Sequence, residues 1–168
     1  MTGDELKNTL SEFAADRIAL LHRHEGGARA VSHYDFNNAY QYVINREEMQ
    51  LGWLRAALGE VGTALPGPAA ALPMPASPKP SKKLNAASFT TILEDDARHL
   101  NRFVEKWRDR IDSVTHARHR IMLHVILGES LEHQRLFEQA AAGFEDLLGR
   151  RTGGVARVGG VLPTRWVE

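Results

Sequence analysis

The chain has 168 residues, room for one ordinary domain, and carries 21 basic against 21 acidic side chains. A net charge of zero argues against nucleic acid as the main partner, because phosphate binding leaves a basic excess. The absence of cysteine excludes disulfides, thiolate zinc sites, iron–sulfur clusters and a cysteine nucleophile, so a metal would need His, carboxylate or other oxygen ligands.

Apolar residues make up 43% and charged residues 25%, the mix of a folded globular chain. The opening MTGDELKNTL is polar and has no signal-peptide character, and no stretch approaches the ~18 unbroken apolar residues of a membrane span. The expectation is a cytoplasmic protein without membrane or nucleic-acid partners.

In chain order, Thr2 and Glu5 have capping-box spacing and open a first helix, which the glycines at 26 and 27 are expected to stop. A second helix starts near Ser32 or Asp35 and ends between Gly59 and Gly62. Residues 61–78 then carry no charge, and six of the seven prolines fall between Pro66 and Pro80. Such a stretch is neither helix nor strand, and reads as an extended, partly polyproline-like connection. A third helix follows Ser88 and runs to about Asp112, and a fourth runs from about Thr115 to about Leu148. The expected domain is a four-helix bundle over 1–148, with 61–87 as a Pro-rich crossover and 149–168 as a Gly/Arg-rich tail. A crossover of this length can return the third helix parallel to the second, with 61–85 along the outside.

Placing residues at 100° steps sorts the core stripes. The first helix buries Leu6, Leu10, Phe13, Ala14 and Leu21, and Arg17 and His24 share that stripe. Glu47 falls among Val43, Ile44 and Leu51 on the second helix. Asp96 falls among Ile92, Leu93, Leu100 and Phe103 on the third, with His99 at the edge. Glu129 and His133 lie within the stripe of the fourth helix, and Glu132 at its edge. Asp96 and Glu129 come level across the hairpin to within ~3 Å, at 1.5 Å per residue, so Glu129 is expected to face Asp96 in the core. Carboxylates at one level require a cationic partner.

Two helical hairpins, a long crossover after the second helix and mid-bundle carboxylates resemble the ferritin-like superfamily, the rubrerythrin-like di-iron carboxylate proteins, over residues 2–148. In that family two helices each give a Glu, the other two each give a Glu-x-x-His, and the set holds two iron or manganese ions. The resemblance implies a mid-bundle metal site at Glu47, Asp96, His99, Glu129 and His133, with Glu132 and Gln50 as further candidates. The implied cofactor is iron or manganese, with zinc as a further candidate. The implied activity is that of a metal-dependent oxidoreductase, oxidising Fe(II) or activating O2 or peroxide. The match is partial. The fourth helix reads Glu129-Ser-Leu-Glu132-His133, the second has Gln50 where a His would stand, and the first offers no central Glu.

The alternative is a metal-free bundle in which Arg17 supplies the countercharge and the protein acts as a binding or assembly module. The zero net charge and the uncharged 61–78 stretch suit a homo-oligomer, a dimer first. His116, His119 and His124 read as surface histidines. No Gly-rich phosphate loop or nucleophile elbow is present.

Overall fold

A computed structural model describes residues 1–149. It is all-helical among those residues: α1 (Gly3–Ala30), α2 (Tyr34–Glu60), a short 3-10 turn (Ala86–Phe89), α3 (Thr90–Asp112) and α4 (Ala117–Ala141). The tail expected over 149–168 lies outside the described residues from position 150 on.

The start of α1 follows the sequence. The Thr2 side chain accepts from the Glu5 amide, and the Glu5 carboxylate accepts from the Thr2 amide. Its end does not. The helix runs through Gly26 and Gly27 to Ala30, because Gly27 serves packing here and not termination. The Tyr40 ring of α2 lies against the Gly27 backbone so closely that a Cβ would overlap it. Asn37 then donates to the carbonyls of Ala28 and Val31, 2.7 and 3.1 Å away, and ties the corner between the two helices. α2 closes at Gly62, whose φ of +72° suits glycine, with the Thr63 amide donating to the Leu58 carbonyl at 3.0 Å. α4 ends seven residues before the expected Leu148, at a turn where Gly143 takes a φ of +94°.

Ion pairs and hydrogen bonds give the helix directions. Between α1 and α3, Glu12 meets Arg110, Asp16 meets Lys106 and Arg23 meets Asp95, so one helix rises as the other falls. Between α1 and α2, Arg17 meets Gln50 and Gly27 meets Tyr40, again antiparallel. α2 and α3 are therefore parallel, as a long crossover allows. α4 returns against α2, with Glu129 at Gln50 and His119 at Glu60.

The crossover is strapped to α1. The Ala69 amide donates to the Ala15 carbonyl at 2.9 Å, and Met74 lies against Gly26. From 15 to 26 a helix advances ~16 Å at 1.5 Å per residue. From 69 to 74 a polyproline-like chain advances about the same distance at ~3.1 Å per residue. An extended backbone thus lets five residues keep pace with eleven. Leu65 and Leu72 pack on the core, which is centred on Phe13, Phe103 and Trp107, with Phe13 edge-on to both other rings. The Trp107 indole N–H donates to Asp16 at 2.8 Å, so the largest buried ring keeps its polar atom satisfied.

No helix among the described residues is long and apolar enough to cross a membrane.

Candidate functional site

The middle of the bundle is polar. Arg17, Arg23 and His24 from α1, Glu47 and Gln50 from α2, Asp96 from α3, and Ser130 and His133 from α4 are all buried. All but His133 form one chain of contacts rather than scattered exceptions.

Arg17 is 1% exposed and holds the centre. Its Nη2 donates to Gln50 Oε1 at 2.7 Å and to Glu47 Oε1 at 3.1 Å, and its Nη1 donates to Ser130 Oγ at 3.0 Å. The guanidinium also lies 5.0 Å over the Phe103 ring. Gln50 passes the network on, donating through Nε2 to Glu129, which pairs with Arg46. On the other side, His24 Nδ1 lies 2.9 Å from both oxygens of Glu47. His24 Nε2 points toward Asp96 Oδ1 across 3.8 Å, and neither atom has a hydrogen-bond partner. Tyr40 donates its hydroxyl to Asp96 Oδ2. Arg23 pairs with Asp96 at 3.4 Å and with Asp95 at 2.9 Å, and Asp95 meets His99 at 3.2 Å.

The electrostatics follow from dry burial set against close partners. Burial opposes the charged imidazole of His24, but the charge and hydrogen bond of Glu47 outweigh it and raise its pKa. Burial likewise opposes the Glu47 carboxylate, and His24 and Arg17 outweigh it and lower its pKa. For Asp96 burial wins over His24 and Arg23, and its pKa is raised. For His133 burial wins over the pull of Glu47 and pushes the imidazole down to about 4, so it is neutral at pH 7. Burial and the neighbouring Asp96 charge raise Tyr40 well above the usual phenol range.

Of the six metal-ligand candidates, Glu47, Asp96 and His133 are buried, and the other three lie elsewhere. The expectation that Glu129 faces Asp96 is corrected. Glu129 is part-exposed on the seam between α2 and α4, where Arg46 and Gln50 hold it. One residue is 100° of helix, and it is Ser130 that turns inward. His99 lies part-exposed between Asp95 and Arg102, and Glu132 is exposed. Among the described residues no three His, Asp or Glu side chains form a group that could hold a metal ion.

The donor set at the centre does not fit two divalent ions. Two i, i+3 pairs do face each other, Glu47-x-x-Gln50 and Ser130-x-x-His133. Each contains one metal-competent member, the Glu of one and the His of the other. Gln50 gives its carbonyl oxygen to Arg17, and Ser130 accepts from Arg17 while donating to the Ile126 carbonyl at 2.7 Å. A cation at this point would meet a permanently charged guanidinium.

Sequence periodicity missed Ser130, Arg23 and the polar role of Tyr40. The signal for Ser130 was its i, i+3 spacing to His133, the same spacing as Glu47 to Gln50. His119 also departs from its surface reading. It is 3% exposed, its Nε2 lies 3.1 Å from Glu60, and it stacks on the exposed His116. Compared with known proteins, the chain matches no family model, no curated protein and no solved structure.

Proposed function

We propose that this protein is a bundle of ferritin-like architecture in which a built-in cation, Arg17, takes the place of a metal centre, and that it acts as a binding or assembly module. The observation that carries this reading is the buried guanidinium of Arg17, held by Glu47 and Gln50 of α2 and Ser130 of α4. The parallel α2 and α3, joined by a crossover strapped along α1, support the architecture. A buried network of this kind fixes helix register more than it adds stability, since desolvating the charges offsets most of their attraction. Exposed Ile121 and Val125, one turn apart on α4, support self-association as a dimer.

The test is elemental analysis of protein purified from rich medium, together with thermal melting with and without chelator. The expected result is no stoichiometric metal and identical midpoints. Stoichiometric metal with a chelator-lowered midpoint would overturn the reading.

A second reading keeps a divalent iron, manganese or zinc ion at Glu47, Asp96 and the neighbouring histidines. The observation that favours it is that His24 Nε2 and Asp96 Oδ1 face each other beside Glu47 without a hydrogen bond to either, Oδ1 having only the 3.4 Å ion pair with Arg23. It requires Arg17 and Arg23 to withdraw, and the same two measurements decide between the readings.

A further inference from the structure

We propose that the cleft over His133 binds a small primary amine carried on an apolar body. The cleft has a volume of about 400 Å³ and is lined by Tyr42 of α2, by Glu132, His133 and Leu136 of α4, and by Leu147 and Leu148 of the returning chain. The return is built in. The chain turns back at Gly143, and Glu145 meets His33 at 3.3 Å, which pins the segment near the corner between α1 and α2.

Three observations give the ligand its chemistry. First, His133 is 2% exposed, and its Nδ1 has no hydrogen-bond partner. Nδ1 itself has no surface open to solvent, and Nε2 makes no hydrogen bond among the described residues either, so Nε2 is the nitrogen left for a ligand in the cleft. Burial holds this imidazole neutral, so one of its nitrogens accepts a hydrogen bond. Second, Glu132 stands at the rim, exposed, with no ion pair among the described residues. Most other carboxylates near the network, Asp95 and Glu129 among them, already have an arginine. Third, the remaining wall is hydrocarbon and aromatic. Leu136, Leu147 and Leu148 supply aliphatic surface, and the Tyr42 ring stands edge-on to the imidazole at 5.9 Å.

These features select among ligands. An anion meets the Glu132 carboxylate and is repelled. An alcohol satisfies the imidazole and leaves Glu132 unused. A protonated amine donates to the imidazole, is neutralised by Glu132 and can be faced by Tyr42, while its apolar body takes the leucines. The site rests on the metal-free reading, because a metal-bound His133 would have no nitrogen to offer.

The test is calorimetric titration of the full chain with 2-phenylethylamine, 2-phenylethanol and phenylacetate, with metal content measured on the same sample. The expected order is amine over alcohol by about tenfold or more, with no binding of the carboxylate. Glu132→Gln should abolish the preference for amine over alcohol and leave alcohol affinity within about twofold, a pattern that lost rim charge produces and misfolding does not. His133→Phe should weaken both ligands. If that variant fails to fold, the exposed Glu132 position still decides. Equal binding of amine and carboxylate, an amine preference that survives Glu132→Gln, or a metal-free sample that binds no amine would overturn the amine site alone. A sample with stoichiometric metal would overturn it together with the reading on which it rests.

Discussion

Both carboxylate oxygens of Glu47 lie 2.9 Å from Nδ1 of His24, while Oε1 also accepts from Arg17 at 3.1 Å. One buried carboxylate therefore serves both Arg17 and His24 of α1, seven residues and about two helical turns apart. α2 can take few positions along α1 that keep both contacts.

Arg17→Met should destabilise the protein by roughly 3–5 kcal/mol, since Glu47 keeps its buried charge and loses a partner. Arg17→Met with Glu47→Gln should recover part of that loss, because the unpaired charge is gone. Urea denaturation of the single and double variants gives the coupling directly. Additive losses would mean that the two residues do not act as a pair.

Stability should peak near neutral pH, with the two limbs owed to different histidines. His133 is held neutral down to about 4, whereas in the unfolded chain it titrates near its ordinary 6.5. Between these values the unfolded state binds the extra proton, so stability falls as pH falls, by up to about 1.4 kcal/mol per pH unit. His24 has the opposite sign. Its raised pKa makes its contribution complete below 6.5, and that contribution is lost as pH rises through the folded value. His133→Leu should flatten the acid limb and His24→Gln the alkaline one, as read by urea midpoints from pH 4.5 to 8.5. A parent whose stability climbs steadily toward pH 4.5 would contradict the neutral His133.

Gly27 and Gly52 should respond to alanine in opposite directions. Gly27→Ala puts a Cβ into the Tyr40 ring and should cost about 1–3 kcal/mol, as overpacking does. Gly52 lies within α2 with nothing near its Cβ position, so Gly52→Ala should gain about 0.5–1 kcal/mol of helix propensity. Thermal midpoints of the two variants check this. A tolerated Gly27→Ala would mean that α1 and α2 are not seated on that contact.

Tyr40→Phe should cost about 1–3 kcal/mol, because it removes the hydroxyl donor from a buried carboxyl group. The same variant should raise the Asp96 pKa further, since the Tyr40 hydrogen bond favours the charged form. Carbonyl-region infrared spectra across a pH titration follow that proton. An unchanged Asp96 titration would mean that the hydroxyl does not reach it.

Much of the fold was legible because it rests on local rules. Thr2 with Glu5, the prolines from 66 to 80, and Gly62 each act within a few residues, and helical period alone put Arg17, His24, Glu47, Asp96 and His133 toward the core. Tertiary structure decided what a 100° step could not resolve. Glu129 and Ser130 are neighbours 100° apart on α4, and only the approach of α2, with Arg46 at the seam, and of α1, with Arg17 inside it, settles which of them turns inward. Gly27 reads as a helix stop until Tyr40 from another helix needs the space. Whether the core carboxylates meet a metal ion or an arginine depends on side chains from three helices converging on one point, and their spacing along a single chain holds no record of that convergence.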